Sequence, residues 1–315
     1  MSKLDDIRKK LQSQDRTTRS AQGVNDNTVY PHWNLPTDGR AVLRFLPDGD
    51  PDNVFFWVEK QMIRLPFPGI EGQPDARSTL VQVPCMEMYG EQCPVLNEIR
   101  PWFNTDRDEE ARRYWKKRSY IFQGFVIEDG MNEESPPENP IRRFSMTTQI
   151  FQIIKSALLD VDMDHIPTDY SNGTDFRVVK GKKGDWADYT TSSWMRKESA
   201  LNSAQLAALE EYGLKNLSDY LPTKPDQASL DVIFDMFEAS VRGDNYDPEK
   251  WASHYKPYGF NSSTNDEETS TPASKATKDD DDVEQKVQST SSSAPASSSK
   301  PASPTEILER LRNRQ

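Results

Sequence analysis

Cysteine, histidine and long apolar runs are what this chain has least of. Two cysteines, Cys85 and Cys93, in 315 residues are too few for a disulfide framework, and a reducing compartment leaves them as thiols. A structural zinc site needs four soft or borderline ligands. Here the three histidines, His32, His165 and His254, lie far from the cysteines in sequence. Glu87 and Glu91 could complete only a weak site, so the reading is two buried or half-exposed thiols and no metal. No apolar run approaches the roughly 20 residues needed to cross a bilayer. Met1 to Ser20 is charged instead of carrying a signal-like apolar stretch, which predicts a soluble, intracellular protein. A phosphate-cradling glycine loop, a His-Glu-x-x-His helix and a nucleophile elbow are all missing, so the chain reads as a non-enzyme without a cofactor. The alternating Asp160, Asp162 and Asp164 read as solvent-facing carboxylates.

Positive charge is also in deficit, with 39 Lys and Arg against 51 Asp and Glu for a net charge of -12. Against that background Arg112-Arg113-Tyr114-Trp115-Lys116-Lys117-Arg118 places five cations around two aromatics. Such a protein is repelled by polyanions as a whole, so a local basic cluster with interleaved rings points to a nucleic-acid groove. Cations neutralise phosphates and release counterions, while a ring such as Trp115 offers a face on which any unpaired base can stack. Acidic neighbours at Asp106, Asp108, Glu109 and Glu110 could pair the first of these cations, but Lys116 to Arg118 have none nearby in sequence.

The chain divides into three parts: a basic arm over 1–27, a core over 28–258 and a polar tail over 259–315. In the arm, Leu4, Ile7 and Leu11 recur at helical spacing, and Met1 to Ser20 carries six cations against three anions, a net +3. In the core, Ala41 to Leu46, Val54 to Val58, Tyr120 to Ile127 and Phe176 to Lys180 read as short strands separated by turn residues, the first two as a hairpin or meander. Phe151, Ile154, Ala157 and Leu158 share a helical face. Ser203 can cap a helix carrying Leu206 and Leu209, and Asp226 one carrying Leu230, Ile233, Phe234 and Phe237. The fold class is therefore mainly β with added helices (α+β), a small barrel or sandwich. The tail is rich in Ser, Thr, Pro, Ala, Asp and Lys with an acidic block at Asp279 to Asp282, a composition that predicts disorder. It ends in a short basic amphipathic peptide with Ser303, Pro304 and Glu306 at its start and Ile307, Leu308 and Leu311 on one face.

Three segments in order then become specific: Gly39-Arg40-Ala41-Val42-Leu43-Arg44-Phe45-Leu46-Pro47, Cys93-Pro94-Val95, and Phe103-Asn104-Thr105-Asp106 leading through the basic cluster to Ser119-Tyr120. Together they resemble the single-stranded-DNA-binding replication proteins of T-even-type bacteriophages over roughly Trp33 to Met195. The resemblance implies an OB-fold barrel and a cleft for single-stranded DNA. It implies an N-terminal arm that drives self-association on DNA, and an acidic tail that contacts replication and recombination proteins. It also implies a zinc site that this chain lacks the ligands to build, since Leu96 stands where the family has the last cysteine. The family's ring positions fall on Phe103, on Tyr114 or Trp115, on Tyr120, on Phe144, and on Trp186 and Tyr189. Cations accompany them: Arg142 and Arg143 precede Phe144, and Lys180, Lys182 and Lys183 precede Trp186. Arg44 is a weaker candidate for the cleft. Each ring must be weighed against burial, because aromatics fill cores more often than they bind ligands. The function so predicted is cooperative, sequence-independent coating of single-stranded DNA in phage replication, recombination and repair. The alternatives are an RNA-binding regulator, or an acidic scaffold whose rings are all core.

Overall fold

Strand pleat sends successive side chains to opposite faces of a sheet, and that alternation organises the computed structural model, which describes residues 28–73, 77–160 and 165–257. Eight strands form one antiparallel sheet: β1 (Gly39–Phe45), β2 (Val58–Phe67), β3 (Thr79–Pro84), β4 (Lys117–Glu128), β5 (Arg142–Thr147), β6 (Gly173–Lys183), β7 (Trp186–Asp188) and β8 (Ser193–Ser199). The strand path is β3-β2-β4-β1-β6-β7, with β5 added to β4 and β8 to β6. Six α-helices accompany it among the described residues: α1 (Pro94–Ile99), α2 (Asp108–Tyr114), α3 (Thr148–Leu158), α4 (Ser203–Tyr212), α5 (Gln227–Arg242) and α6 (Pro248–Trp251). The protein is thus a mixed α/β structure on an antiparallel sheet. No pairing among the described residues joins β3 to β7, so the sheet is not closed into the expected barrel. The N-terminal arm, the tail and its terminal peptide lie outside the described residues, as do Asp162 and Asp164.

The twelve-residue β4 holds β2 along Lys117–Ile121 and β1 along Gly124–Glu128 on one edge, while its other edge takes β5. β1 and β2 therefore succeed one another along β4, and the expected hairpin between them is absent. Val54 to Trp57 lie in the intervening loop, not in a strand. The Asn53 side chain holds that loop: its amide donates to Asp48 Oδ2 and to the Trp57 carbonyl, and its oxygen accepts from the Phe55 backbone N–H.

Three apolar clusters hold the elements together. One packs Phe45, Phe122, Phe144 and Phe176 of the sheet against Phe151 and Ile154 of α3, a helix capped by Thr147. A second packs Ile63, Leu65, Val81 and Val83 against α1, α2 and the Ile233, Met236 and Phe237 face of α5. It encloses Cys85, Met86, Cys93, Val95 and Leu96, which are held there by apolar burial. A third places Leu201 and Ala208, at and before α4, over Leu46 and Phe125. α5 begins at its expected cap, Asp226, which accepts from Ser229 N. α4 is capped one residue earlier than expected, by Asn202 in a capping box with Gln205, and Leu206 is exposed, facing away from the core.

Where β1, β4 and β5 meet, there is no room for a side chain at Gly124. A Cβ there would lie 2.0 Å from the Arg44 carbonyl oxygen. Gly124→Ala is expected to destabilise the fold by about 2 kcal/mol or more, in the range of overpacked cores, read as a lower urea midpoint. His32 gives a second test. Burial, reinforced by the Lys180 charge, pushes its imidazole down to about 4 from 6.5. The unfolded chain therefore takes up a proton that the folded chain refuses, and stability falls as pH drops from about 6.5 towards about 4, by up to about 1.4 kcal/mol per pH unit. His32→Gln should flatten the pH dependence in that window relative to the parent, and parallel curves would remove His32 as its source.

Candidate nucleic-acid interface

The basic stretch found in the sequence does not form one patch, because the chain changes structure within it. Its first half closes α2. There Arg112 pairs with Asp108 at 2.8 Å and stands 5.9 Å from the Phe103 ring centre, while Arg113 is exposed. Tyr114 is 2 % exposed, edge-on to Phe237 and hydrogen-bonded to Ser240 at 3.1 Å, so its ring belongs to the core and offers no stacking face. Trp115 is half-buried, edge-on to the half-buried Phe103. Lys116 is buried in an ion pair with Glu87, a carboxylate remote in sequence, which corrects the expectation that it is free. Arg118 pairs with Glu59 at 3.3 Å. Lys117 lies between them on the other face of β4.

The other ring–cation sets separate in the same way. Phe144, Tyr120 and Tyr189 are all buried, Tyr120 stacked on Phe151 with centroids 3.5 Å apart. Strand alternation turns Tyr120 and Phe144 toward α3, so these three positions are corrected from base platforms to core. Arg142 is buried too: it grips Glu133 through both terminal nitrogens and the Thr28 and Val29 carbonyls through Nε and Nη2. Arg44 is sequestered by Asp175 and Ser199, which excludes it from a cleft. Lys180 donates to the Trp33 and Leu35 carbonyls. Lys182, Lys183 and Trp186 remain exposed on the β6–β7 hairpin, Trp186 directly across from Lys183.

One sheet face does gather cations. Residues paired across strands share a face, and the register aligns Lys60 with Ser119 and Thr147, Met62 with Lys117, Arg64 with Gln82, and Gln123 with Arg143. Lys60, Arg64, Lys117 and Arg143 thus lie on one face of β2, β4 and β5, all half-buried, and Arg143 is covered by the Tyr220 ring at 3.8 Å. Serine and threonine hydroxyls at Ser119, Ser145 and Thr147 fill the rows between. No position on this face of those three strands or of β3 is Asp or Glu, although acids outnumber bases in the chain. The opposite face of β2 carries Glu59, and there Arg118 is neutralised. From Lys60 to Arg64 the row spans about 13 Å. Burial pushes the Lys60 ammonium down from its ordinary value, and neither Lys60 nor Lys117 has an ion-pair partner among the described residues. Sequence reasoning overlooked Lys60 and Arg64. Their signal was the alternation Lys60-x-Met62-x-Arg64 in a strand whose opposite face buries Ile63, Leu65 and Phe67.

Cys85 and Cys93 are buried in mutual contact. The hydrogen bond from Cys85 pulls Cys93 down to about 6, and the same contact together with burial pushes Cys85 up. Glu87, the nearest candidate third ligand, is engaged by Lys116 and Arg100. Among the described residues no group of three or more His, Cys, Asp or Glu is placed to hold a metal ion. No helix of the described residues is long and apolar enough to cross a membrane. No family model matches this chain, and no curated protein matches it.

An amine with a depressed pKa is a better nucleophile near neutrality. Lys60 is expected to acylate faster than the exposed Lys182 with an amine-reactive ester at about pH 8, read by peptide mass spectrometry, and a bound polyanion should protect it. Slower labelling of Lys60 than of Lys182 at every pH would show that its amine is sterically sealed.

Proposed function

We propose that the protein binds single-stranded DNA without sequence preference, coating strands exposed in replication, recombination and repair. The observation that carries this reading is the face of β2, β4 and β5 with no Asp or Glu at its strand positions, on which Lys60 and Lys117 have no ion-pair partner among the described residues, in a chain of net charge -12. Lys60 and Lys117, half-buried and without an ion-pair partner among the described residues, resist desolvation as charges, and phosphates would offset that cost. The face carries hydroxyls at Ser119, Ser145 and Thr147 that suit sugar and phosphate oxygens, which supports binding through the backbone. The resemblance to the phage single-stranded-DNA-binding proteins supports the same reading from the sequence, with the arm as the self-association element and the tail as the recruiting one. Fewer of the family's ring positions are available than the resemblance implies: Trp186 is exposed, and Phe103 and Trp115 are half-buried.

Replacing Lys60 and Lys117 together by Ala should weaken binding to a single-stranded oligonucleotide. It should also reduce the slope of log affinity against log salt by about 0.7 for each phosphate that is no longer neutralised. Replacing the exposed Lys182 and Lys183 should change that slope less. An unchanged slope in the Lys60/Lys117 variant would remove this face from the binding surface. Matched RNA competing as well as DNA would favour an RNA-binding role, and no quenching of tryptophan emission by either polymer would favour a scaffold.

A further inference from the structure

Cations alone hold a duplex as readily as a single strand; discrimination needs a side chain that an unpaired base can cover. That side chain must stand on the cationic face itself, and strand register decides which ones do. Met62 is paired with Lys117 across β2 and β4. Lys60 and Arg64 lie two residues to either side of it on β2, about 7 Å away along the strand, so alternation puts all four on one face. Cations thus flank Met62 on three sides, with Pro84 of β3 on the fourth. Met62 is half-buried, and it belongs to none of the three apolar clusters, although Ile63 beside it is core. Other methionines have evident structural roles. Met86, Met146 and Met236 are buried in the clusters, Met131 packs against one of them, and the Met88 sulfur accepts from the Gln61 backbone N–H. The other apolar pair on this face of β2 and β4, Val58 with Ile121, lies in the row beyond Lys60, and Ile121 is buried.

We propose that Met62 is the base-contacting residue of the cationic face, its thioether packing on an unpaired base whose phosphates are held by Lys60 and Lys117, a role that rests on the nucleic-acid reading above. A methionine suits binding without sequence preference. Its side chain is unbranched, turns about three bonds and carries a polarisable sulfur that makes favourable contacts with aromatic rings, so it conforms to purine and pyrimidine alike. Because the cations surround it, a nucleotide whose phosphate is neutralised there has its base within reach of the thioether. The hydroxyls of Ser119 and Thr147 line the adjoining row with Lys60, which leaves the apolar contact to Met62. A paired base, stacked on both sides inside a duplex, has no free face to give, so this contact selects single strands.

The test uses the full-length protein, a short oligothymidylate, and an oligomer of the same length and charge made of abasic sites. Met62→Ala should weaken oligothymidylate binding roughly threefold to tenfold, while leaving the salt slope and abasic binding unchanged. Met62→Leu, which conserves volume, should retain most of the affinity. A second measurement needs no substitution and decides the matter even if Met62→Ala unfolds. Peroxide converts accessible methionine to its sulfoxide, read by peptide mass spectrometry, and oligothymidylate should slow that conversion at Met62 more than the abasic oligomer does. Met195, exposed on β8, is the internal reference that neither oligomer should slow. Equal loss of affinity for both oligomers, or equal protection by both, would overturn the base contact. If Met62→Ala binds oligothymidylate like the parent while the Lys60/Lys117 variant is weakened, the contact is refuted and the cationic face stands. If neither variant changes binding, both readings fall.

Discussion

The alternation of β4 is the constraint from which the rest of this structure follows. Tyr120, Phe122 and Gly124 face α3 and the aromatic cluster, while Lys117, Ser119 and Ile121 face the other way. Because β2 and β5 flank β4 in register, its parity is imposed on both neighbours. Lys60 and Arg64 must share a face with Lys117, and Phe144 must share the core with Phe122. A slip of one residue would bury the cations and expose the rings. Gly124 fixes the register at the point where three strands crowd together, its missing Cβ leaving room for the Arg44 carbonyl.

That face is costly by ordinary standards. A protein with more acids than bases could neutralise each lysine, and does so elsewhere: Glu87 holds Lys116, Glu133 holds Arg142, Asp175 holds Arg44. Where carboxylates are close, the cations are structural and their positive potential is cancelled. Where they are excluded, at Lys60 and Lys117, the potential stays available, and partial burial strengthens it by lowering the local dielectric response. The contrast lies between neutralised and unneutralised cations, and local sequence density of Lys and Arg does not measure it.

Much of the fold was legible from residue patterns. β1, β4 and β6, the face of α3 and the Asp226 cap of α5 follow from periodicity and capping chemistry, which act over a few residues. Non-local pairing was not legible. Nothing near Val54 to Trp57 says that β1 and β2 will share an edge of β4 in place of pairing together, and an aromatic run of that kind reads as strand by composition. The site was legible only in outline. The basic stretch was found, but its division into helix end, buried ion pair and strand face depends on Glu87 and Glu59, far away in sequence. Phe144, Tyr120 and Tyr189 look like surface rings because cations flank them. The flanking Arg142 is itself buried on Glu133, so charge next to an aromatic is no measure of its exposure.

Lys116, Lys117 and Arg118 state the general point within three residues. The first is drawn inward by Glu87 and the third by Glu59, and only the middle one presents its ammonium to the open face. Glu87 can serve Lys116 because the segment around it is set by the contact of Cys85 with Cys93 and by apolar packing under α5. A metal bound there would compete for that carboxylate and release Lys116 as an uncompensated buried charge, a state costing several kcal/mol. The apolar solution in the 64–96 region and the selective exposure of Lys117 are therefore two consequences of one arrangement. A chain with a zinc cluster at this place would need a different partner for Lys116.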